Sequence, residues 1–130
     1  MNTPLFLDIE ASSLGSASYP IEVAWSCPDA SIESHLISPA GIASWTDWSM
    51  AAERLHGLSR EQLLTEGKSP AWVARRLNEQ LAGQTLHSDN PDYDWFWLEE
   101  LFKKQDYSNE VTIKLNFIKK KSGEDKLINI

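Results

Sequence analysis

With 130 residues, 42% of them hydrophobic, and six Trp, the chain is long enough to bury the core of one domain and too apolar to be disordered. A formal net charge of −7 argues against broad non-specific DNA binding, which depends on phosphate neutralisation by Lys and Arg. A single cysteine, Cys27, excludes an internal disulfide, no apolar run reaches the span length of about 18 residues, and no basic leader precedes the N-terminal apolar stretch, so no membrane association and a cytoplasmic location are expected.

In chain order, Pro4 to Ile9 reads as a buried strand. Ser12 to Ser18 is small and polar, hence a loop. Ile21 to Trp25 and Ser31 to Ile37, parted by the Pro28-Asp29-Ala30 turn, make two further strands. The three strands are expected to form an antiparallel meander. Pro39 to Asp47 is a loop. Ser49 to Leu55 is a short helix closed by Gly57, and Ser59 with Gln62 opens another that ends at Gly67. Ser69 and Pro70 cap and start the clearest helix, in which Trp72, Val73, Leu77 and Leu81 recur at helical spacing before Gly83 stops it. Thr85 to His87 is a fourth strand and Asp92 to Gln105 a further helix. Beyond it Val111, Ile113, Leu115 and Phe117 alternate with more polar residues. Ser122 to Asp125 reads as a turn and Lys126 to Ile128 as a returning strand, giving a terminal hairpin.

The chemistry concentrates at the end of the first strand. Residues two apart on a strand face the same side, so Asp8 and Glu10 point together while Leu7 and Ile9 point away. Two adjacent carboxylates repel unless a cation lies between them, and rigid oxygen ligands suit Mg²⁺ or Mn²⁺. The alternative is a solvated strand end. A second constellation, Asn90-Pro91-Asp92-Tyr93-Asp94, opens the helix after the fourth strand, and His56-Gly57-Leu58-Ser59 lies between the two.

In this order and spacing, Asp8-x-Glu10, His56-Gly57-Leu58-Ser59 and Asn90-x-x-x-Asp94 resemble the DEDD superfamily of 3′–5′ exonucleases, of the proofreading-subunit or ribonuclease T-like kind. The resemblance covers about Leu5 to Gln105. It implies a ribonuclease-H-like α/β fold, a mixed sheet with flanking helices. It also implies two Mg²⁺ or Mn²⁺ ions at the scissile phosphate, with Asp8, Glu10 and Asp94 as metal ligands. Ala11, Leu14, Asn90 and His56 would meet the terminal nucleotide. The implied partners are single-stranded DNA or RNA 3′ ends, with a second copy of the chain or a polymerase-type subunit as candidate protein partners.

The family's third motif, His-x-x-x-x-Asp or Tyr-x-x-x-Asp, has no counterpart. The histidines are His35, His56 and His87, all before Asp94, and Tyr107 is followed four residues on by Val111. Composition changes at the same place. Residues 1–107 hold all six Trp and all eleven Ala, with seven basic against sixteen acidic side chains, or −9. Residues 108–130 have five basic against three acidic, or +2. The expectation is an incomplete exonuclease-like domain over 1–107 and a distinct tail over 108–130, a C-terminally truncated or altered member produced by frameshift, insertion or fusion.

Other residues carry weaker expectations. Asn90 reads equally as a plain helix cap, and His56 reads better as the end of its helix than as a nucleotide contact. His87 is a strand-end residue and Glu22 a hydrogen-bonding partner of the first loop. Trp45, Trp48, Trp95 and Trp97 could stack bases, though Trp95 fits the core. Arg75 and Arg76 are a solvated helix face that could meet a phosphate, and Lys119 to Lys121 a charged strand end. Three readings follow: a weak or inactive metal-dependent 3′–5′ exonuclease, a non-catalytic nucleic-acid-binding or interaction module on the same fold, and a phosphatase with Asp8 as nucleophile. Glu10 and the Asn90–Asp94 pair count against the last.

Overall fold

A computed structural model describes residues 5–81, 83–104, 116–121 and 124–129. Strands β1 (Leu5–Ala11), β2 (Pro20–Ser26) and β3 (Ile32–Leu36) precede helices α1 (Met50–His56), α2 (Arg60–Glu66) and α3 (Pro70–Leu81); β4 (Thr85–Ser88), α4 (Pro91–Lys103), β5 (Asn116–Lys121) and β6 (Glu124–Asn129) follow. They build one sheet in the order β3-β2-β1-β4-β5-β6. β1, β2 and β3 form the expected antiparallel meander. β4 lies parallel to β1, β5 parallel to β4, and β6 antiparallel to β5. The mixed sheet with flanking helices is the expected fold class.

Alternation on β1 and β2 divides the sheet into two faces. Leu7 pairs with Trp25 and Ile9 with Val23, and all four are buried. α3 brings Val73, Ala74, Leu77 and Leu81 into the same core, and α4 brings Trp97, Leu98 and Leu101. Burying an aliphatic side chain of this kind contributes about 1.5–3 kcal/mol, which is what selects the register. A one-residue slip would turn Leu7 and Ile9 outward and Asp8 and Glu10 into the core.

The helix ends follow the sequence signals. Ser49, Ser59 and Ser69 accept from the N–H groups of Ala52, Gln62 and Trp72 at 3.2, 3.1 and 3.1 Å. Gly57 closes α1 at φ 75°. Gly67 is fixed by crowding instead: a Cβ there would meet the Leu63 carbonyl oxygen at 2.4 Å and the Ser38 nitrogen at 2.6 Å. That close approach lets Lys68 donate to the Leu36 carbonyl (2.8 Å) and accept from Ser38 N–H (2.9 Å), extending the β3 edge.

Some boundaries differ from expectation. β1 runs on to Ala11, past a register irregularity between Glu10 and Ala11. Glu124 and Asp125, expected in a turn, belong to β6. The strand expected over Val111 to Leu115 lies outside the described residues. Cys27, just past the end of β2, is buried and free.

Candidate functional site

β1 presents Phe6, Asp8 and Glu10 on the face away from the core. Its burial alternates, with Leu5, Leu7 and Ile9 inward. The antiparallel register sets Glu22 of β2 directly opposite Glu10. Three carboxylates therefore share one face of two adjacent strands. On the other side of β1, β4 pairs with its start, Leu86 with Leu5 and His87 with Phe6, and after Ser88 the chain turns into α4. The first turn of α4 brings Asp94 to the β1 edge, where the Ile9 N–H faces its carboxylate. Asp94 is 1% exposed and accepts from Ser88 Oγ at 2.6 Å.

The four acids feel one another. Burial, then Asp89, raises the pKa of Asp8. Glu10 is raised by burial, then by Asp8 and Glu22, and Glu22 by burial and then Asp8. Asp94 is pushed up to about 7, by burial first, with Asp8 and Glu10 adding to it against the Ser88 hydrogen bond. Like charges set side by side fit a hard divalent cation by donor chemistry, since a cation would oppose each of these shifts. The geometry is less complete: among the described residues no three His, Cys, Asp or Glu side chains converge closely enough to hold a metal ion.

The remaining expected site residues separate. Ala11 is buried at the end of β1, and Leu14 is 68% exposed on the loop after it. Asn90 stands at the N-cap position of α4, yet its side chain makes no capping bond. Its backbone is what is held, N–H to Ser88 Oγ at 3.0 Å and carbonyl to Asp94 N–H at 2.9 Å. The plain-cap reading of Asn90 is therefore corrected. His56 ends α1 with Nδ1 accepting from Leu58 N–H at 3.0 Å and its ring edge-on to Trp48. Burial lowers its pKa, against the nearby Glu53. His87 lies beside Phe6 across the β1–β4 pair, ring centroids 5.4 Å apart.

Three further expectations are corrected. Trp45 and Trp97 are 1% and 4% exposed, with Nε1 bound to Glu100 and Ser18 at 2.9 Å, so neither can stack a base. Arg76 is committed to Glu33, through Nε at 2.6 Å and Nη2 at 2.8 Å, and is not a phosphate contact. Glu22 belongs to the acid row and not to the first loop. The signal for Glu22 was present in the alternation of Ile21, Glu22 and Val23, but only the register joins it to Glu10.

Between the Leu14 loop and α4 lies a cleft of about 370 Å³, lined by Leu14, Gly15, Ser16, Asp92, Tyr93 and Phe96. Its aromatic wall, Tyr93 and Phe96, lies one residue before and two residues after Asp94 in sequence. Asp125, on β6, is three strand spacings from β1, roughly 14 Å by backbone position.

With this geometry in place, the likeness to solved structures is direct. The complex of E. coli exonuclease I with a dT13 oligonucleotide matches with a TM-score of 0.63 at 18% identity, over 80% of this chain and 24% of that one. A product-bound exonuclease I gives 0.66 at 18% identity, over 80% and 26%. The fold is ribonuclease-H-like. A zinc-bound form of the E. coli exonuclease I–ssDNA complex gives 0.64 at 19% identity, over 80% and 24%. The chain thus spans about a quarter of the length of these structures. No family model and no curated protein matches it by sequence. Among the described residues no helix is long and apolar enough to cross a membrane.

Proposed function

We propose that the chain is a metal-dependent 3′–5′ exonuclease-type protein that engages single-stranded nucleic-acid 3′ ends and hydrolyses them weakly or not at all. One observation carries this reading: on an exonuclease I-like sheet, Asp94 of α4 lies within the field of Asp8 and Glu10 of β1, in the order Asp-x-Glu then Asn-x-x-x-Asp. Asp8, Glu10 and Asp94 would hold Mg²⁺ or Mn²⁺, which when bound would polarise the phosphate and activate water. Leu14 and the Tyr93–Phe96 wall would seat the terminal nucleotide, since every base has a face to stack. Ser88 holds the Asp94 carboxylate, and the Ile9 N–H offsets part of its charge.

The sequence supplies no His or Tyr in the third-motif pattern after Asp94, so no general base is assigned. A general base is typically worth about 10²–10⁴-fold in rate, hence the weak turnover. The second reading, a binding module on the same fold, draws on the incomplete convergence of the acids. Digestion of 3′-labelled against 5′-labelled single-stranded oligonucleotides with Mn²⁺, Mg²⁺ or chelator separates the two. Metal-dependent release from the 3′ end supports the exonuclease; binding with no release in any metal supports the module. Turnover equal to that of an intact exonuclease would show that a base and a fourth acid have been overlooked.

A further inference from the structure

The loop that carries Leu14 is held from outside by a residue with no assigned role. Asp47 Oδ2 accepts from Ser12 Oγ at 2.9 Å and from Ser13 Oγ at 2.6 Å, across 35 and 34 residues of sequence. Ser13 Oγ in turn accepts from Gly15 N–H at 3.0 Å, and Ser12 Oγ from Tyr19 N–H at 3.1 Å. Two residues after Asp47, Ser49 N–H donates to the Ser12 carbonyl at 3.0 Å. At the other end of the loop, Ser18 Oγ donates to the Gly15 carbonyl at 2.6 Å and accepts from Trp97 Nε1. Both peptide groups of Gly15, a wall residue of the cleft, are therefore fixed, one from Asp47 and the other from α4.

We propose that Asp47 is a positioning residue for the cleft: through Ser12 and Ser13 it sets the loop wall that presents Leu14 to a terminal nucleotide. The proposal rests on the exonuclease-type reading for its ligand, but the loop geometry stands without it. The arrangement is economical in entropy. Between the buried Ser12 and Ser18 the loop runs over Ser13, Gly15 and Ser16, small residues with little packing of their own to order them. Leu14 is exposed and cannot anchor the segment by burial. One carboxylate taking two hydroxyls is the strong kind of hydrogen bond, about twice a neutral one. Preorganising the wall removes an ordering cost that binding would otherwise meet.

The test pairs residue-resolved hydrogen exchange with binding of a fluorescein-labelled oligothymidylate octamer in Mn²⁺, in Asp47→Ala and Asp47→Asn. In Asp47→Ala the amides of Gly15 and Tyr19 should exchange at least about tenfold faster while those of α3 do not change. Octamer affinity should fall about tenfold, as expected when the competent loop is present about a tenth of the time. Asparagine keeps a carbonyl oxygen for both hydroxyls and should restore most of each effect. Wild-type exchange at Gly15 and Tyr19 in Asp47→Ala overturns the proposal, and so does faster exchange across the whole protein with no excess in the loop. If Asp47→Ala does not fold, Ser13→Ala cuts only the arm to Gly15, and an unchanged Gly15 amide there is equally fatal. A wild-type protein that binds no octamer counts against the exonuclease-type reading, and exchange then decides the role of Asp47 by itself.

Discussion

Glu33 on β3 and Asp94 on α4 are both carboxylates held against the same sheet, and their surroundings push them in opposite directions. Glu33 sits opposite Trp25 and takes a two-point hydrogen bond from Arg76 and another from His35 Nε2 at 2.7 Å. The Arg76 contacts, with His35 second, lower its pKa to about 2 against the cost of burial. Asp94 is more deeply buried, has a serine hydroxyl and a backbone N–H as partners among the described residues, and faces two further acids, so its pKa rises to about 7, by burial first. A carboxylate that has found its cation is part of the scaffold. One that is buried beside other acids is held nearer neutrality, and a perturbed carboxyl of that kind is a candidate for a functional site.

The sharpest way to break this comparison is to remove Asp94. Asp94→Ala should cut Mn²⁺ affinity by at least about 100-fold, since even outer-shell partners of metal ligands cost 10–100-fold. Any 3′-directed nuclease activity should vanish with it. Because ligation must displace the Asp94 proton, wild-type Mn²⁺ affinity should fall about tenfold per pH unit below 7 and level off above it. Calorimetric titration from pH 5.5 to 8.5 reads both. Mn²⁺ binding that is unaffected in Asp94→Ala removes this residue from the site.

Stability should respond next, and in opposite senses for the two acids. Asp94 has a folded pKa above its ordinary 3.8, so the folded state holds the extra proton between about pH 4 and 7 and stability falls as pH rises through that window. Asp94→Asn removes this penalty. It should stabilise the metal-free protein at pH 8 by about 2–3 kcal/mol, given 1.36 kcal/mol per pKa unit less some loss at the Ile9 N–H, and do little at pH 4. Denaturant melts at the two pH values check it, and equal effects at both would mean that Asp94 is charged throughout.

How much of this could be read in the sequence depends on the range of the contact. Alternation at Leu5 to Ile9 and the Ser69-Pro70 start of α3 are local signals, and both elements stand where they were expected. Motif order singled out Asp8, Glu10 and Asp94, and the structure sets Asp94 within the field of the two β1 acids without closing the three into a metal-holding group among the described residues. Glu22 was not joined to them, because its role depends on a strand register. The Glu33–Arg76 pair, 43 residues apart, and the Asp47–Ser13 bond, 34 apart, leave no trace in any window of sequence. Trp97 looked like a stacking platform because helical spacing alone does not say that Ser18 of a distant loop would receive its N–H.

The scaffold acid gives a smaller effect. Glu33→Gln keeps the shape and loses the charge facing Arg76 and His35. After allowance for solvent screening of a half-exposed pair, it should cost about 0.5–1 kcal/mol at pH 7. Glu33 has a depressed folded pKa, so its contribution is present above the ordinary 4.5 and is lost as pH falls towards 2. The cost of the substitution should therefore shrink in acid. A cost that persists at pH 2.5 would mean that packing around Trp72 and Arg76, and not the ion pair, holds this corner.

The smallest effect tests whether Glu22 is electrically part of the acid row. Its charge lies across the β1–β2 pair from Glu10 and helps to raise the pKa of Glu10, after burial and Asp8. Glu22→Gln should lower the Glu10 pKa, because one of the two charges opposing its ionisation is gone while burial and Asp8 remain. The Asp94 pKa should hardly move, since its shift comes from burial, Asp8 and Glu10 and not from Glu22. Carboxyl-carbon NMR titration of the metal-free protein resolves the two sites. A downward shift at Glu10 with Asp94 unchanged fits a row whose members couple through neighbouring strands. An unmoved Glu10 would mean that solvent screens the pair at this edge, and that Glu22 is a bystander to the acids on β1.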